Sequence, residues 1–172
     1  MSDDTMDIKA NDGPLPEGRF SGRIEFQQLI RDALATAARD GWREIILSDA
    51  NFNDWPLGER SVVESLQAWA DNGRKITLLA RRYDDVLRFH ARFVNWRTKW
   101  SHIVEARGCR IADVSELPSA IWSPTWVMQR LDSQWCHGVC GTEPERRQAL
   151  RETLQEWLRK SSEAFPASTL GL

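Results

Sequence analysis

Two short uninterrupted apolar runs, R-E-I-I-L-S-D-A starting at Arg43 and K-I-T-L-L-A starting at Lys75, constrain this 172-residue chain more than any other feature. Each follows a glycine-containing turn and is rich in β-branched and aliphatic residues, the pattern of a strand buried on both faces. Between them, Ser61-Val-Val-Glu64 has the spacing of a capping box. Ser61 would accept the Glu64 amide while Glu64 reaches back to the Ser61 amide, which starts a helix at Ser61. That helix buries Val62, Leu66, Trp69 and Ala70 and stops at Asn72-Gly73. Strand, helix and strand at this length make a βαβ unit with parallel strands and a right-handed crossover.

The flanking segments extend the pattern. Phe26, Leu29, Ile30, Ala33, Leu34 and Ala37 recur at helical spacing before an Asp40-Gly41 stop. A helix of roughly 20 residues is predicted from Asp84 or Asp85, with Val86, Phe89, His90, Phe93, Trp96, Arg97, Trp100 and Ile103 on one stripe. Arg88, Arg92, Asn95, Lys99 and His102 fall on the opposite one. V-E-A-R-G-C-R-I-A reads as a third strand, and the alternation of Val127, Gln129 and Leu131 with Met128 and Arg130 as edge strands or a hairpin. Thr142-Glu-Pro-Glu145 is a second capping box, opening a helix that buries Ala149, Leu150, Leu154, Trp157 and Leu158. The predicted fold class is α/β in three layers, a mainly parallel sheet flanked by helices. Residues 1–20 are expected as a disordered leader, 21–162 as a single α/β domain and 163–172 as a tail.

Composition narrows the classes of function. No apolar run approaches the roughly 20 residues that span a bilayer. The first residues are acidic, polar and rich in Pro and Gly, the reverse of a secretory signal. Cys109, Cys136 and Cys140 are an odd count without framework spacing, which fits a reducing, cytoplasmic setting. The total charge of −2 hides a segregation: Arg74 to Arg110 holds ten Lys or Arg against three acids, leaving −9 on the remainder. Such polarity steers anionic partners, though most charge runs are simply solvated faces.

Candidate chemistry is sparse. His90 sits on the apolar stripe, where a neutral imidazole with one hydrogen bond serves as a core group as readily as a catalyst. Trp135-Cys-His-Gly-Val-Cys140 gathers two thiols and an imidazole, but a structural zinc site takes four ligands, and Cys109, His90 and His102 come from distant segments. No metal or cofactor is expected. The loop after the first strand has one glycine beside bulky Phe52 and Trp55, so neither a Walker loop nor a dinucleotide fingerprint exists. Asp49 and Asn51 stand at a strand end, where α/β folds place ligands.

The order of Phe26 to Ala80, a helix L-I-R-D-A-L-A-T-A-A-R-D, the strand R-E-I-I-L-S-D-A, a loop, the helix V-V-E-S-L-Q-A-W-A-D-N-G and the strand K-I-T-L-L-A, resembles the opening half of a phospholipase D-like domain. It is similar to bacterial domains of unknown function built this way. In that family a His-x-Lys-x4-Asp motif follows on a strand and loop, its His attacking the phosphodiester phosphorus and its Lys clamping the phosphate. The nearest match here is His90-Ala91-Arg92, with Arg97 at the Asp position. The resemblance therefore implies a phospholipase D-like fold that has lost this chemistry.

Three functions are weighed on these residues. The first is a non-catalytic binding module whose basic face, Arg81, Arg82, Arg88, Arg92 and Lys99, meets nucleic acid or an acidic protein. The second is a phosphodiesterase-like hydrolase with a degenerate site at the strand ends, using Asp49 and Asn51 with His90 within reach. The third is a self-associating structural protein, suggested by nine tryptophans, with Trp122, Trp126 or Trp135 exposed at a homo-oligomer interface.

Overall fold

The computed structural model describes residues 8–113 and 116–167. In chain order the elements are β1 (Gly18–Phe20), α1 (Arg23–Asp40), β2 (Glu44–Ser48), α2 (Arg60–Trp69), β3 (Lys75–Ala80), α3 (Asp84–Phe89), α4 (Ala91–Lys99), β4 (Val104–Gly108), β5 (Ser119–Trp122), β6 (Val127–Asp132), β7 (His137–Gly141), α5 (Pro144–Lys160) and β8 (Ser162–Glu163). All eight strands form one sheet in the order β1-β7-β6-β5-β2-β3-β4-β8.

The two apolar runs pair as their sequence requires: β2 and β3 are parallel in the register Ile45↔Ile76 and Leu47↔Leu78, and β4 extends the parallel set. The expectation of a mainly parallel sheet is corrected beyond these three strands. β5, β6 and β7 run as an antiparallel meander on the other side of β2, and β1 and β8 close the two edges antiparallel. Cladding is also uneven. The large core joins α1, α2 and the α3–α4 pair to one face through Phe26, Ile30, Leu66, Trp69 and Phe93, whereas the other face buries Ile46, Leu79, Ala120 and Val127 against Leu150 and Leu154 of the single helix α5. The structure is thus α/β with one mixed sheet rather than an evenly layered parallel one.

Several local expectations change for tertiary reasons. Neither capping box forms. Ser61 Oγ donates to the Ile8 carbonyl at 3.0 Å, α2 begins at Arg60, and Glu59 at its N-terminus grips Arg31 of α1 through two 2.7 Å bonds. Thr142 turns to the Glu17 carboxylate, and α5 begins at Pro144. Ala149 faces solvent rather than the core. The predicted Trp122–Val139 hairpin exists as β6–β7, but inside the sheet, because β1 covers β7.

Residues 8–20 are not a loose leader. The Asn11 backbone N–H donates to Asp32 at 2.8 Å, Gln28 donates to the Lys9 carbonyl, and Trp126 Nε1 donates to the Pro16 carbonyl before the chain enters β1. The tail is likewise tied down through β8 and buried Phe165, whose carbonyl accepts from Arg97 Nε. Residues 1–7 and 168–172 of the two expected terminal segments lie outside the described residues. Six of the nine tryptophans are buried, Trp122 and Trp126 among them, so of the proposed interface trio Trp135 alone is exposed.

Two outcomes follow from this packing. A Cβ at Gly138 would overlap the Gln129 carbonyl and the Phe20 ring, because β1, β7 and β6 approach closely there. Gly138→Ala should cost about 1–3 kcal/mol by overpacking, lowering the thermal midpoint by about 3–10 °C in calorimetry. Burial pushes the Cys140 thiol from 9.0 up to about 11. Because the unfolded thiol ionises first, its contribution is intact below the unfolded value and is lost as pH rises through the folded one. Denaturant midpoints should fall over that alkaline interval in the wild type and fall less in Cys140→Ala.

Candidate functional site

The end of β2 builds a polar knot. Asp49 follows the strand, and its Oδ2 accepts the backbone N–H groups of Asn51 and Phe52 at 3.2 and 2.8 Å. This turn forces Phe52 into the left-handed region at φ 57, an arrangement that costs a non-glycine residue on the order of 1–3 kcal/mol. The Phe52 carbonyl is then fixed by His90, whose Nε2 donates to it at 2.8 Å. His90 reaches it because the predicted long helix breaks there: α3 ends at Phe89, His90 adopts φ −121 and ψ 53, and α4 starts at Ala91. Gly58 lets the chain pack against His90, since a Cβ there would lie 3.0 Å from the His90 Cα and 3.1 Å from Nδ1.

Arg130 enters the same knot from β6 and is buried. All five guanidinium N–H groups have acceptors. Nε donates to Ser119 Oγ at 3.1 Å, Nη2 to Asp49 Oδ1 at 2.9 Å and to Asp54 Oδ1 at 3.2 Å, and Nη1 to Asp54 Oδ2 at 2.5 Å and to the Cys136 sulfur at 3.5 Å. Its guanidinium stacks over Phe26 of α1, 4.1 Å from the ring centroid. Burial opposes the charge, but the hydrogen bonds and fields of Asp54 and Asp49 outweigh it and hold the guanidinium above its ordinary value.

A cleft of about 510 Å³ opens beside this knot, lined by Asp49, Asn51, Asp54, Ser119 and Gln129 as well as Arg130. The structure therefore brings Asp49 and Asn51 together as the sequence predicted but does not add His90. The histidine lies beyond Phe52, is not part of the cleft lining, and uses its donor on a backbone carbonyl. Asp49 has three of its acceptor positions occupied. A general base needs a lone pair within reach of substrate, and both groups are engaged in holding the loop. Cys136, just before β7, and Cys140 within it are buried, with His137 exposed between them; Cys140 Sγ donates to the Pro16 carbonyl.

The five predicted anion-binding residues separate. Arg92 and Lys99 line an open groove of about 770 Å³ between α2 and α4, where they meet Arg60 across from them. Trp96, Trp100 and His102 are also in its wall. The Trp100 and His102 rings lie 5.5 Å apart at 30°, held by Trp100 Nε1 donating to Gln67 and His102 Nε2 donating to Asn72, each at 3.0 Å. The Trp96 indole N–H is buried with no hydrogen-bond partner among the described residues. Arg81 and Arg82 stand apart, at the end of β3, and exposed Arg88 lies over the Phe89 ring at 5.2 Å. Arg60 was missed in the sequence because it lies outside the basic segment and joins Arg92 only through helix packing.

No protein-family model matches the sequence, and no curated protein matches it at a significant level. Solved structures do share the fold. TrmBL2, an archaeal chromatin protein described as showing a novel mode of DNA binding, superposes with a TM-score of 0.61 at 15% identity, over 90% of this chain and 56% of that one. The chain thus spans about half the length of TrmBL2. NucT from Helicobacter pylori superposes with a TM-score of 0.56 at 9% identity, over 87% of this chain and 99% of that one. At these identities the likeness is one of fold.

Removing Arg130 alone leaves Asp49 and Asp54 without their buried counter-charge. Arg130→Met should destabilise the protein by about 3–5 kcal/mol, and the triple replacement Arg130→Met, Asp49→Leu, Asp54→Leu should recover part of that loss. Urea denaturation followed by tryptophan fluorescence measures both; a neutral Arg130→Met would show that the knot does not hold the fold.

Proposed function

We propose that the protein is a nucleic-acid-binding module of phospholipase D-like fold that works without catalysis, and that the groove between α2 and α4 is its binding surface. The observation that carries the reading is the composition of that groove. Arg60, Arg92 and Lys99 supply three cations against the single carboxylate of Glu64, and among the described residues none of the three is in an ion pair. Arg92 uses one donor on the Gly58 carbonyl. Free guanidinium and ammonium groups of this kind neutralise backbone phosphates and release their counterions, and aromatic rings beside them give bases a surface to contact.

Two further points support the reading. The phospholipase D-like assignment draws on the βαβ order of Phe26 to Ala80, and the chain shares its fold with NucT. A nucleic-acid partner agrees with the DNA binding ascribed to TrmBL2. The absence of catalysis in this proposal follows from the engagement of Asp49 and His90 in structural hydrogen bonds. No described helix is long and apolar enough to cross a membrane, and the cysteines are unpaired and buried, which agrees with the cytoplasmic setting we propose.

Binding of fluorescein-labelled DNA, followed by anisotropy across a salt series, tests the proposal. The wild type should lose affinity steeply as salt rises. Arg92→Glu with Lys99→Glu should weaken binding by about tenfold or more and flatten the salt dependence by about two phosphate contacts. Salt-independent binding, or binding unchanged by the double charge reversal, would remove the groove from consideration.

A further inference from the structure

Of the three predicted arginines outside the groove, Arg81 and Arg82 line a separate cleft of about 750 Å³. It lies outside the C-terminal ends of β3 and β4, and one wall is made by the Ser162–Pro166 segment that β8 lays along β4. Strand ends on this side of a parallel set are where α/β sheets receive ligands, and the volume lies within the range of small-molecule sites. Arg110, just past β4, completes a set of three guanidinium groups, with Asp84 and Glu163 as the acids in the lining. None of the three arginines is in an ion pair among the described residues.

Arg81 provides the independent sign of a missing partner. Its backbone N–H is used on the Ala50 carbonyl at 2.9 Å, but its side-chain Nε–H is buried and has no acceptor among the described residues. A buried donor without an acceptor is costly, and native folds rarely keep one without a reason. Arg107 of the same basic segment donates to Ser161 Oγ and to the Ser161 carbonyl at 3.0 and 2.7 Å, whereas Arg97 Nη1, outside this cleft, is also buried without a partner among the described residues. Arg81, Arg82 and Arg110 thus line one cleft, while Arg92 and Lys99 line the other.

We propose that this cleft is a second anion site, distinct from the α2–α4 groove, that takes a phosphate monoester between Arg81, Arg82 and Arg110. A monoester carries close to two negative charges near neutral pH and three strong acceptor oxygens, which suits three guanidiniums better than the single charge of a diester. Two sources present this group, a free mononucleotide and the terminal phosphate of a nucleic-acid strand.

Isothermal calorimetry with AMP, and with adenosine as the phosphate-free control, tests the site. AMP should bind and adenosine should not. Arg81→Gln and Arg110→Gln should each weaken AMP binding by about tenfold, the loss of one charge-assisted contact, while Arg92→Glu with Lys99→Glu leaves it unchanged. Arg110 is exposed, so its variant reports on the site even where Arg81→Gln impairs folding. Displacement of AMP by a short 5′-phosphorylated oligonucleotide, and not by its 5′-hydroxyl form, would identify a strand terminus as the ligand; no displacement would identify a free nucleotide. Equal binding of AMP and adenosine, no AMP binding into the millimolar range, or unchanged affinity in Arg110→Gln would overturn the proposal.

Discussion

The guanidinium of Arg130 joins three parts of the protein, the strand β6, the helix α1 and the loop that follows β2. It leaves β6, crosses the ring of Phe26 on α1 and takes Asp49 from the start and Asp54 from the middle of that loop. A buried cation tolerates no alternative register: slipping β6 by one residue would turn Arg130 to the other face and leave two carboxylates unpaired. The register of β5, β6 and β7 against the parallel strands is specified by this one polar contact as much as by the apolar core. The same contact fixes the β2–α2 loop, because Asp49 holds Arg130 through one oxygen and turns the Phe52 backbone through the other.

From that loop the constraint passes to the helices. Phe52 offers its carbonyl to His90, and the pull of that bond coincides with the break between α3 and α4. The break shortens α4 and sets it beside α2, where the α2–α4 groove forms. The residues most suggestive of catalysis by type thus shape the surface that carries free charge. The basic segment is divided accordingly: Arg97 is buried against Phe165, Arg107 is tied to Ser161, Arg92 and Lys99 face α2, and Arg81 faces the strand ends.

The elements that were legible in the sequence are those encoded by short-range periodicity. α1 and its left-handed Gly41 stop, the parallel pair β2 and β3, the strand β4 and the buried stripe of α5 at Leu150 and Leu154 follow from patterns of two or 3.6 residues. The capping boxes failed for a reason outside such windows: Ser61 and Thr142 found partners in Ile8 and Glu17, far along the chain. Of the candidate site, Asp49 and Asn51 were visible from their place after a strand. Arg130 had a signal in its alternation with Gln129 and Leu131, which puts it on the same inward side as Met128. An arginine on a core-facing register requires buried acids, but nothing local names which ones.

The sequence by itself determined α1, β2, α2, β3, β4 and α5 and the excess of positive charge between Arg74 and Arg110, because each depends on residues close to one another along the chain. Tertiary structure alone decided which charges are free. Asp49 and Arg130 are 81 positions apart, Phe52 and His90 are 38 apart, and Arg60 reaches Arg92 only through the packing of α2 on α4. Whether a charged side chain is a ligand-binding group or a structural one depends on whether its hydrogen bonds are already made, and those partners come from segments that only the fold brings together.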